Sequence, residues 1–387
     1  MAFRAAQLVL ISLPAIYSFP VFTRHTMQII EHSRLRDAIT AICAAGGSEA
    51  KEARIVADNL VDANMAGHDS HGVGMIPTYI TNLLNGGLKP NEHAEIVVDN
   101  GAVIVIDGRS GYGQVIGQEA MAIGIDRAKK FGAACVGLRN AHHIGRIGQW
   151  GEQCAAAGFV STHHVNVVGH KASVAPFGGS DARYITNPYC AVMPATDKNP
   201  PTVLDFATSF VAMGKIRVAR NKGEPAPEGA LIDTTGQPSR DPNIMYTDPI
   251  GGALNPFGQH KGYGLALLNE ILPSAMTGTV GCRPETRFDP PKTINNMLSI
   301  IIDPSRLVSR ERFNEETDAA ISNVKGSPAA DPSKPVVVPG DPERISWKKR
   351  DSEGVPVDDE TWREITASAV SVGMRAEDLD VIAGIKA

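Results

Sequence analysis

Apolar residues between His32 and Ala66 recur at the three-to-four-residue spacing of amphipathic helices. His32 to Ala45 is the first predicted helix. Ser48 to Ala66 is the second, with Ile55, Val56, Leu60, Ala63 and Met65 on one stripe, Ser48 as N-cap and Gly67 as the stop. A third helical pattern runs from Gly74 to Leu84 and closes at Gly86-Gly87. The period then changes, because Glu95 to Val98 and Ala102 to Asp107 are short β-branched runs that predict paired strands. Further on, helices over Gln118 to Phe131 and Ile147 to Ala157 interleave with strands at Ala134 to Leu138, Val160 to Val165, Tyr189 to Met193 and Val203 to Asp205. Gly223 to Gly229, Gly236 to Pro242 and Pro249 to Gly258 are predicted loops over the active face. A helix from Gly262 to Leu272 and a strand from Met297 to Ile302 follow, and Gly326 to Pro342 crosses to a terminal helix pair. The alternation predicts an α/β core.

Composition narrows the function class. A chain of 387 residues, 43% hydrophobic and 20% charged, can bury a sizeable core. Its net charge of -5 and scattered basic residues argue against nucleic-acid or anionic-membrane partners. The five cysteines include no C-x-x-C pair, so they are expected to be small buried hydrophobes in a reducing, cytoplasmic setting. Met1 to Thr26 carries an apolar stretch broken by prolines, too interrupted for a membrane span. An upstream extension or misassigned start is the preferred reading there, with the enzyme proper beginning near Met27; an export signal is the rival.

Glycines at 111, 113 and 117 follow a strand and raise the question of a dinucleotide cradle. Their spacing is G-x-G-x-x-x-G, and Gly108-Arg109-Ser110 separates them from the strand end, so a packing turn is the preferred reading. Arg139 would be the matching 2′-phosphate reader in the other case. Sharper chemistry lies in GHDSHGVGM, where His68, Asp69, Ser70 and His71 follow a helix stop. Histidine suits reversible proton transfer, and an adjacent hydroxyl or carboxylate can fix its tautomer; simple turn capping stays open beside it. The pairs His142-His143 and His163-His164 invite a metal hypothesis, but strand neighbours point to opposite faces and no ligand spacing accompanies them, so no metal is expected. Pro176-Phe177-Gly178-Gly179 could present amides to a phosphate or be a plain turn.

Taken together, Asp69-Ser70-His71-Gly72, Asn140 to Gly145, Pro176 to Gly179, Thr186-Asn187-Pro188, Asp205 to Ser209, Gly214-Lys215, His260 to Gly264 and Pro339-Gly340 form an ordered set. With them, nearly the whole chain from Met27 onward resembles the malate/L-lactate dehydrogenase family of non-Rossmann NAD(P)-dependent oxidoreductases, and within it the bacterial hydroxycarboxylate dehydrogenase branch. The resemblance implies a three-layer α/β/α core with a mixed, largely antiparallel sheet, plus a helical region built from both chain ends. In domain terms it implies a helical region at 27–100 with the catalytic loop, an NAD(P)-binding core at 101–344, and C-terminal helices at 345–387 packing on the first region. It implies NAD or NADP, with NADPH favoured, a small 2-oxo or 2-hydroxy acid as substrate, and a homodimer.

By matching motifs, Gly178, Gly179, Ser180, Asp181, Ala182, Arg183 and Tyr184 would hold the cofactor. Gln237-Pro238 and Gly340-Asp341 would approach from loops, with His143 and His260-Lys261-Gly262 lining the site. His71 matches the family's proton donor, Ser70 assists its orientation, and Asn187 and Asp205 are further candidates near the nicotinamide. As negative charge develops on the carbonyl oxygen of a 2-oxo acid, an imidazolium at His71 can protonate it. Many relatives carry arginine four positions beyond the motif histidine, where this chain has Met75; Arg146 and Arg183 are the candidate carboxylate anchors instead. Cyclic-imine reduction, a histidine-ligated metal hydrolase and a non-catalytic nucleotide-binding protein are the competing readings.

Overall fold

The computed structural model describes residues 27–385; the reading of Met1 to Thr26 lies outside them. The chain opens with β1 (Met27–Ile30), α1 (His32–Ala45), α2 (Ala50–Met65) and α3 (Ile76–Leu84), then enters the sheet through β2 (Glu95–Asn100) and β3 (Val103–Asp107). Next come α4 (Gly113–Phe131), β4 (Ala133–His142), α5 (Gly148–Ala156), β5 (Val160–Val168), β6 (Tyr189–Met193) and β7 (Thr202–Phe206). An excursion follows through α6 (Met213–Lys222), β8 (Leu231–Asp233), β9 (Pro238–Ser239) and β10 (Gly252–Leu254). The chain returns by α7 (His260–Thr277), β11 (Ile294–Ile302) and α8 (Arg310–Lys325), and ends in α9 (Asp341–Glu353), β12 (Val355–Asp358), α10 (Asp359–Ser371) and α11 (Ala376–Ala383).

Seven strands in the order β2-β3-β4-β11-β5-β6-β7 form the main sheet. Only its β3–β4 pair is parallel; the other neighbours run antiparallel, as expected of a non-Rossmann sheet. Helices α4 and α5 bury Ile116, Ala120, Met121, Trp150 and Cys154 on one face against Val136, Leu138, Val165 and Met297. On the other face lies α7, where Asn269 meets His164 of β5 and Glu270 meets Asn166. His163, the strand neighbour of His164, instead bonds Ser299 and Ser161, which confirms the period-two alternation.

The two chain ends make a separate core. Leu35, Ile39, Val56 and Leu60 of α1 and α2 pack with Val355, Trp362, Ile365 and Leu379 of the C-terminal elements, and β1 pairs with β12. A third cluster, around Val174, Tyr184, Leu231 and Leu254, sits under the small β10-β8-β9 sheet.

Several boundaries moved for physical reasons. Ser48 is not the cap of α2: its N–H bonds Cys43 O and holds it in the preceding turn, and Glu49 occupies the cap position without a side-chain bond. The central strand starts at Ile294, earlier than its apolar run, because Asn295 and Asn296 are fully used inside the sheet. Asn295 accepts from Ile144 N–H and Asn296 accepts from Asn140 N–H, each at 3.0 Å. Helix α4 starts at Gly113, earlier than the expected Gln118, so Gly113 and Gly117 are helical. A β-carbon on Gly113 would stand 2.3 Å from His143 O, and one on Gly117 would stand 2.7 Å from the Trp150 ring. These glycines let a helix press against a backbone and an indole. Arg139 is likewise engaged, with Asp107 at 2.8 Å and Thr277 O.

Candidate active site

Where α2 ends, the loop from His68 turns through a short 3-10 segment, Asp69–His71. Ties from two directions hold it. Asn64 of α2 donates to Asp69 at 2.6 Å and accepts from Val73 N–H at 2.8 Å, while α9 contributes Arg350 to Asp69 at 2.9 Å and Glu343 to His68 at 3.1 Å. Asp69 is therefore spent on anchoring. Ser70 is the residue against the imidazole, with Oγ 3.0 Å from His71 Nδ1, and Nε2 is left for chemistry.

His71 opens on a cavity of about 460 Å³ lined on its polar side by Ser70, His143, Arg146, His170, Thr186, Asp205, Thr293 and Asn295, with Met75 and Met213 among the apolar lining. His71 and His143 stack with ring centroids 5.6 Å apart and planes 18° from parallel. Burial lowers the His71 pKa from its ordinary value, and the charge of Asp205 works against that shift. His143 is pushed further down by burial, with His71, His142 and His170 adding to the effect. Asp205 accepts from Gly148 N–H at 2.8 Å. Arg146, only 4% exposed, bonds Glu152 through Nη2 and holds Nη1 3.9 Å from Asp205, a distance too long for a hydrogen bond. Its Nε and Nη1 have no hydrogen-bond partner among the described residues, which is costly for a buried guanidinium.

Arg183 and Asn187 are placed differently. Arg183 is an exposed side chain paired with Asp181 at 2.7 Å and does not line the cavity. Asn187 lies fully buried in its turn and donates to Glu270 at 2.6 Å and to Ala266 O at 3.3 Å, while its neighbours Thr186 and Pro188 line the cavity.

The expected cofactor residues form two groups. Around the 178–184 loop, Ser180 lies beside Gly236 of the turn leading to Gln237-Pro238. Phe177 meets His260 edge-on at 6.0 Å, which brings the start of α7, with Lys261 and Gly262, to the same place. Tyr184 stacks on Tyr263 of that helix and donates to Ala175 O, and Ala182 packs on Ala175, Ile232 and Ala253. A smaller cavity of about 310 Å³ beside Ser180, Asp181 and Ala182 is lined by Lys171, Thr234, Asp248 and Arg287. Gly340 and Asp341 belong to the second group. Pro339 O accepts from Val203 N–H of β7, and Asp341 is committed to Lys325, Arg344 and Val338 N–H.

The loops around Gly178 fit a nicotinamide dinucleotide in one testable respect: a β-carbon on Gly178, whose φ is +83°, would meet nothing within 4 Å, so the backbone there is open to an approaching group. Among the described residues no group of three or more His, Cys, Asp or Glu could hold a metal ion, and no helix is long and apolar enough to cross a membrane.

Sequence reasoning missed Tyr79, Gln114, Glu152, His170 and Thr293. Tyr79 sits on the apolar stripe of α3 and Gln114 in the first turn of α4, and only the contact of Tyr79 with His143, with Gln114 donating to Tyr79 behind it, marks them. A polar residue on a helix face that also carries the core was the available signal.

Comparison with known proteins agrees with this geometry. The family described as malate/L-lactate dehydrogenase matches residues 30–366. Hydroxycarboxylate dehydrogenase B of Escherichia coli K12 is 47% identical over 89% of this chain and 94% of its own length. L-lactate dehydrogenase of Cupriavidus necator is 36% identical over 86% and 95%. Sulfolactate dehydrogenase from Methanocaldococcus jannaschii superposes with a TM-score of 0.80 at 32% identity, covering 91% of this chain and 99% of that one. With the sheet order, the histidine cavity and these matches in agreement, the chain belongs to the malate/L-lactate dehydrogenase family.

Proposed function

We propose that this oxidoreductase interconverts a 2-oxo acid and its 2-hydroxy acid by proton exchange at His71 Nε2, with Ser70 holding the ring through Nδ1. The observation that carries it is that Ser70–His71 contact at the wall of a cavity that also holds Asp205. The nicotinamide cofactor, when bound, supplies or accepts the hydride. Residues 178–184, the Gly236 turn and the start of α7 would hold it. Lys171 and Arg287 beside Ser180 support NADPH as the preferred form. As the carbonyl oxygen gains charge, imidazolium at His71 delivers the proton, and Asp205 supports the charged ring.

Arg146 is the favoured carboxylate anchor. It is buried, lines the cavity and has unsatisfied Nε and Nη1, so a carboxylate supplies acceptors that the protein does not. Met75 in the lining leaves apolar room for a larger acyl side chain. A homodimer is supported by Leu267, Leu268, Ile271 and Met276, which leave one side of α7 apolar and exposed; light scattering after gel filtration tests it. Five unpaired cysteines support a cytoplasmic setting.

The deciding experiment is His71→Ala. Turnover of 2-oxo acids is expected to fall by about 10²- to 10⁴-fold, with cofactor affinity, followed by nicotinamide fluorescence, unchanged. Retained turnover would overturn the assignment. Because His71 is shifted downward, the fall in kcat/KM for reduction with rising pH should be centred below about 6.5, and oxidation should rise over the same interval. Arg146→Ala should raise KM for the acid by about 100-fold, the worth of a charged hydrogen-bonded contact, where Arg183→Ala leaves it unchanged.

A further inference from the structure

His143 shares the cavity wall with His71, yet the reaction assigned above uses a single imidazole for the proton. Its surroundings differ in kind. Nδ1 of His143 lies 2.7 Å from Tyr79 Oη, and that oxygen lies 2.7 Å from Gln114 Nε2. Tyr79 and Gln114 are both fully buried and arrive from different elements, α3 and α4. Nε2 of His143 has no hydrogen-bond partner among the described residues.

Counting hydrogens gives this chain a direction. The amide nitrogen of Gln114 can only donate, so it fills a lone pair of Tyr79, whose one hydrogen is then available to His143 Nδ1. Burial pushes the Tyr79 phenol upward, so it keeps that hydrogen. Turning the Gln114 amide over would give Tyr79 an acceptor but leave both hydrogens of a buried amide nitrogen without one. In the observed orientation the group left bare is the carbonyl oxygen Oε1, which is the cheaper of the two to leave unsatisfied. The groups whose charge is felt at His143 are His71, His142 and His170, all cationic when protonated, so they too disfavour a second proton on the ring.

We infer that Tyr79 and Gln114 lock His143 as a neutral imidazole carrying its hydrogen on Nε2, a fixed donor to an oxygen of the bound acid, while His71 alone exchanges the proton. The two stacked rings thereby divide the work. Ser70 is a hydroxyl that can either donate or accept, so His71 can change protonation state and keep its partner. Tyr79 is held by Gln114 as a donor, so His143 cannot gain a proton on Nδ1 without losing the bond. The inference rests on the proposed 2-oxo acid chemistry for the identity of the acceptor oxygen, but not for the tautomer itself.

The tautomer is measurable without turnover. Long-range ¹H–¹⁵N correlation spectra of the full-length protein labelled at histidine, with His143 assigned by the signals lost in His143→Gln, should show a protonated Nε2 and a bare Nδ1 at neutral pH. In Tyr79→Phe the lock is removed, so the two tautomers should mix and kcat should fall by about 100-fold, the loss typical of one oriented donor, at unchanged cofactor affinity. Gln114→Glu keeps the shape but offers an acceptor to Tyr79, which reverses the chain; the hydrogen should move to Nδ1 with a similar loss in kcat. A wild-type His143 that carries its hydrogen on Nδ1, or both variants turning over like wild type, overturns the lock. If instead the spectra show the lock while His71→Ala retains activity, the assignment of His71 fails and the lock stands.

Discussion

Two glycine-rich segments of this chain follow sheet elements and resemble each other as strings, and the fold uses them for opposite purposes. Between residues 111 and 117 the space a side chain would need is already taken by His143 O and the Trp150 ring. At Gly178 the corresponding space is open, the backbone is left-handed, and side chains that could meet a ligand gather around it. Glycine in the first case lets protein approach protein; in the second it leaves protein free to be approached. The first segment also does indirect work for the site, since α4 carries Gln114 to Tyr79 and fixes the backbone of His142 and His143.

The strongest way to break this contrast is Gly113→Ala, which puts a β-carbon where backbone oxygens of two residues already stand. Overpacking against backbone should cost about 3 kcal/mol in urea denaturation and lower activity through His143; a stable, fully active variant would mean the turn is open after all. Gly117→Ala meets a ring rather than a backbone, although the Trp150 indole is itself held to Ile144 O at 3.1 Å. A loss of about 1–2 kcal/mol is expected, with little change in KM. Gly178→Ala should behave the other way, with about 1 kcal/mol of backbone strain and a cofactor Kd raised about tenfold, read by fluorescence titration. Smallest of all is Arg139→Ala, worth less than about 1 kcal/mol for a partly exposed ion pair and leaving the ratio of NADH to NADPH activity unchanged. A changed ratio would return the cofactor to the 111–117 turn.

The histidine pairs repeat the lesson on a smaller scale. His163 and His164 point to opposite faces of β5, as alternation requires, and each is absorbed by a hydroxyl or an amide of the packing around it. His142 and His143 leave the end of β4 together and both meet α3, through Asn82 and Tyr79. Spacing along the chain distinguishes neither pair. Position in the fold does, because His143 lies on the wall of the cavity and His163 and His164 are each taken up by packing on one face of β5.

Local chemistry made much of the architecture legible. The helical stripes of α1 and α2, the strand pair β2–β3 and the stop at Gly67 all follow from periodicity and turn residues. Less legible were the elements whose polar residues are satisfied inside the fold, such as the asparagines that begin β11. The short strands β8, β9 and β10 were hidden for a related reason, since proline and glycine at their ends mimic loops.

The sequence by itself determined the family, the candidate proton carrier at His71 and the change from helical to sheet period, because each is read from short runs of residues and their order along the chain, which need no fold to be recognised. Only the tertiary structure decided that Asp69 anchors α9, that Arg146 is left with unsatisfied donors, and that Tyr79 and Gln114 converge on His143. Those facts arise between elements far apart in sequence, where burial removes water as a competing partner and every remaining hydrogen bond has to be made by the fold.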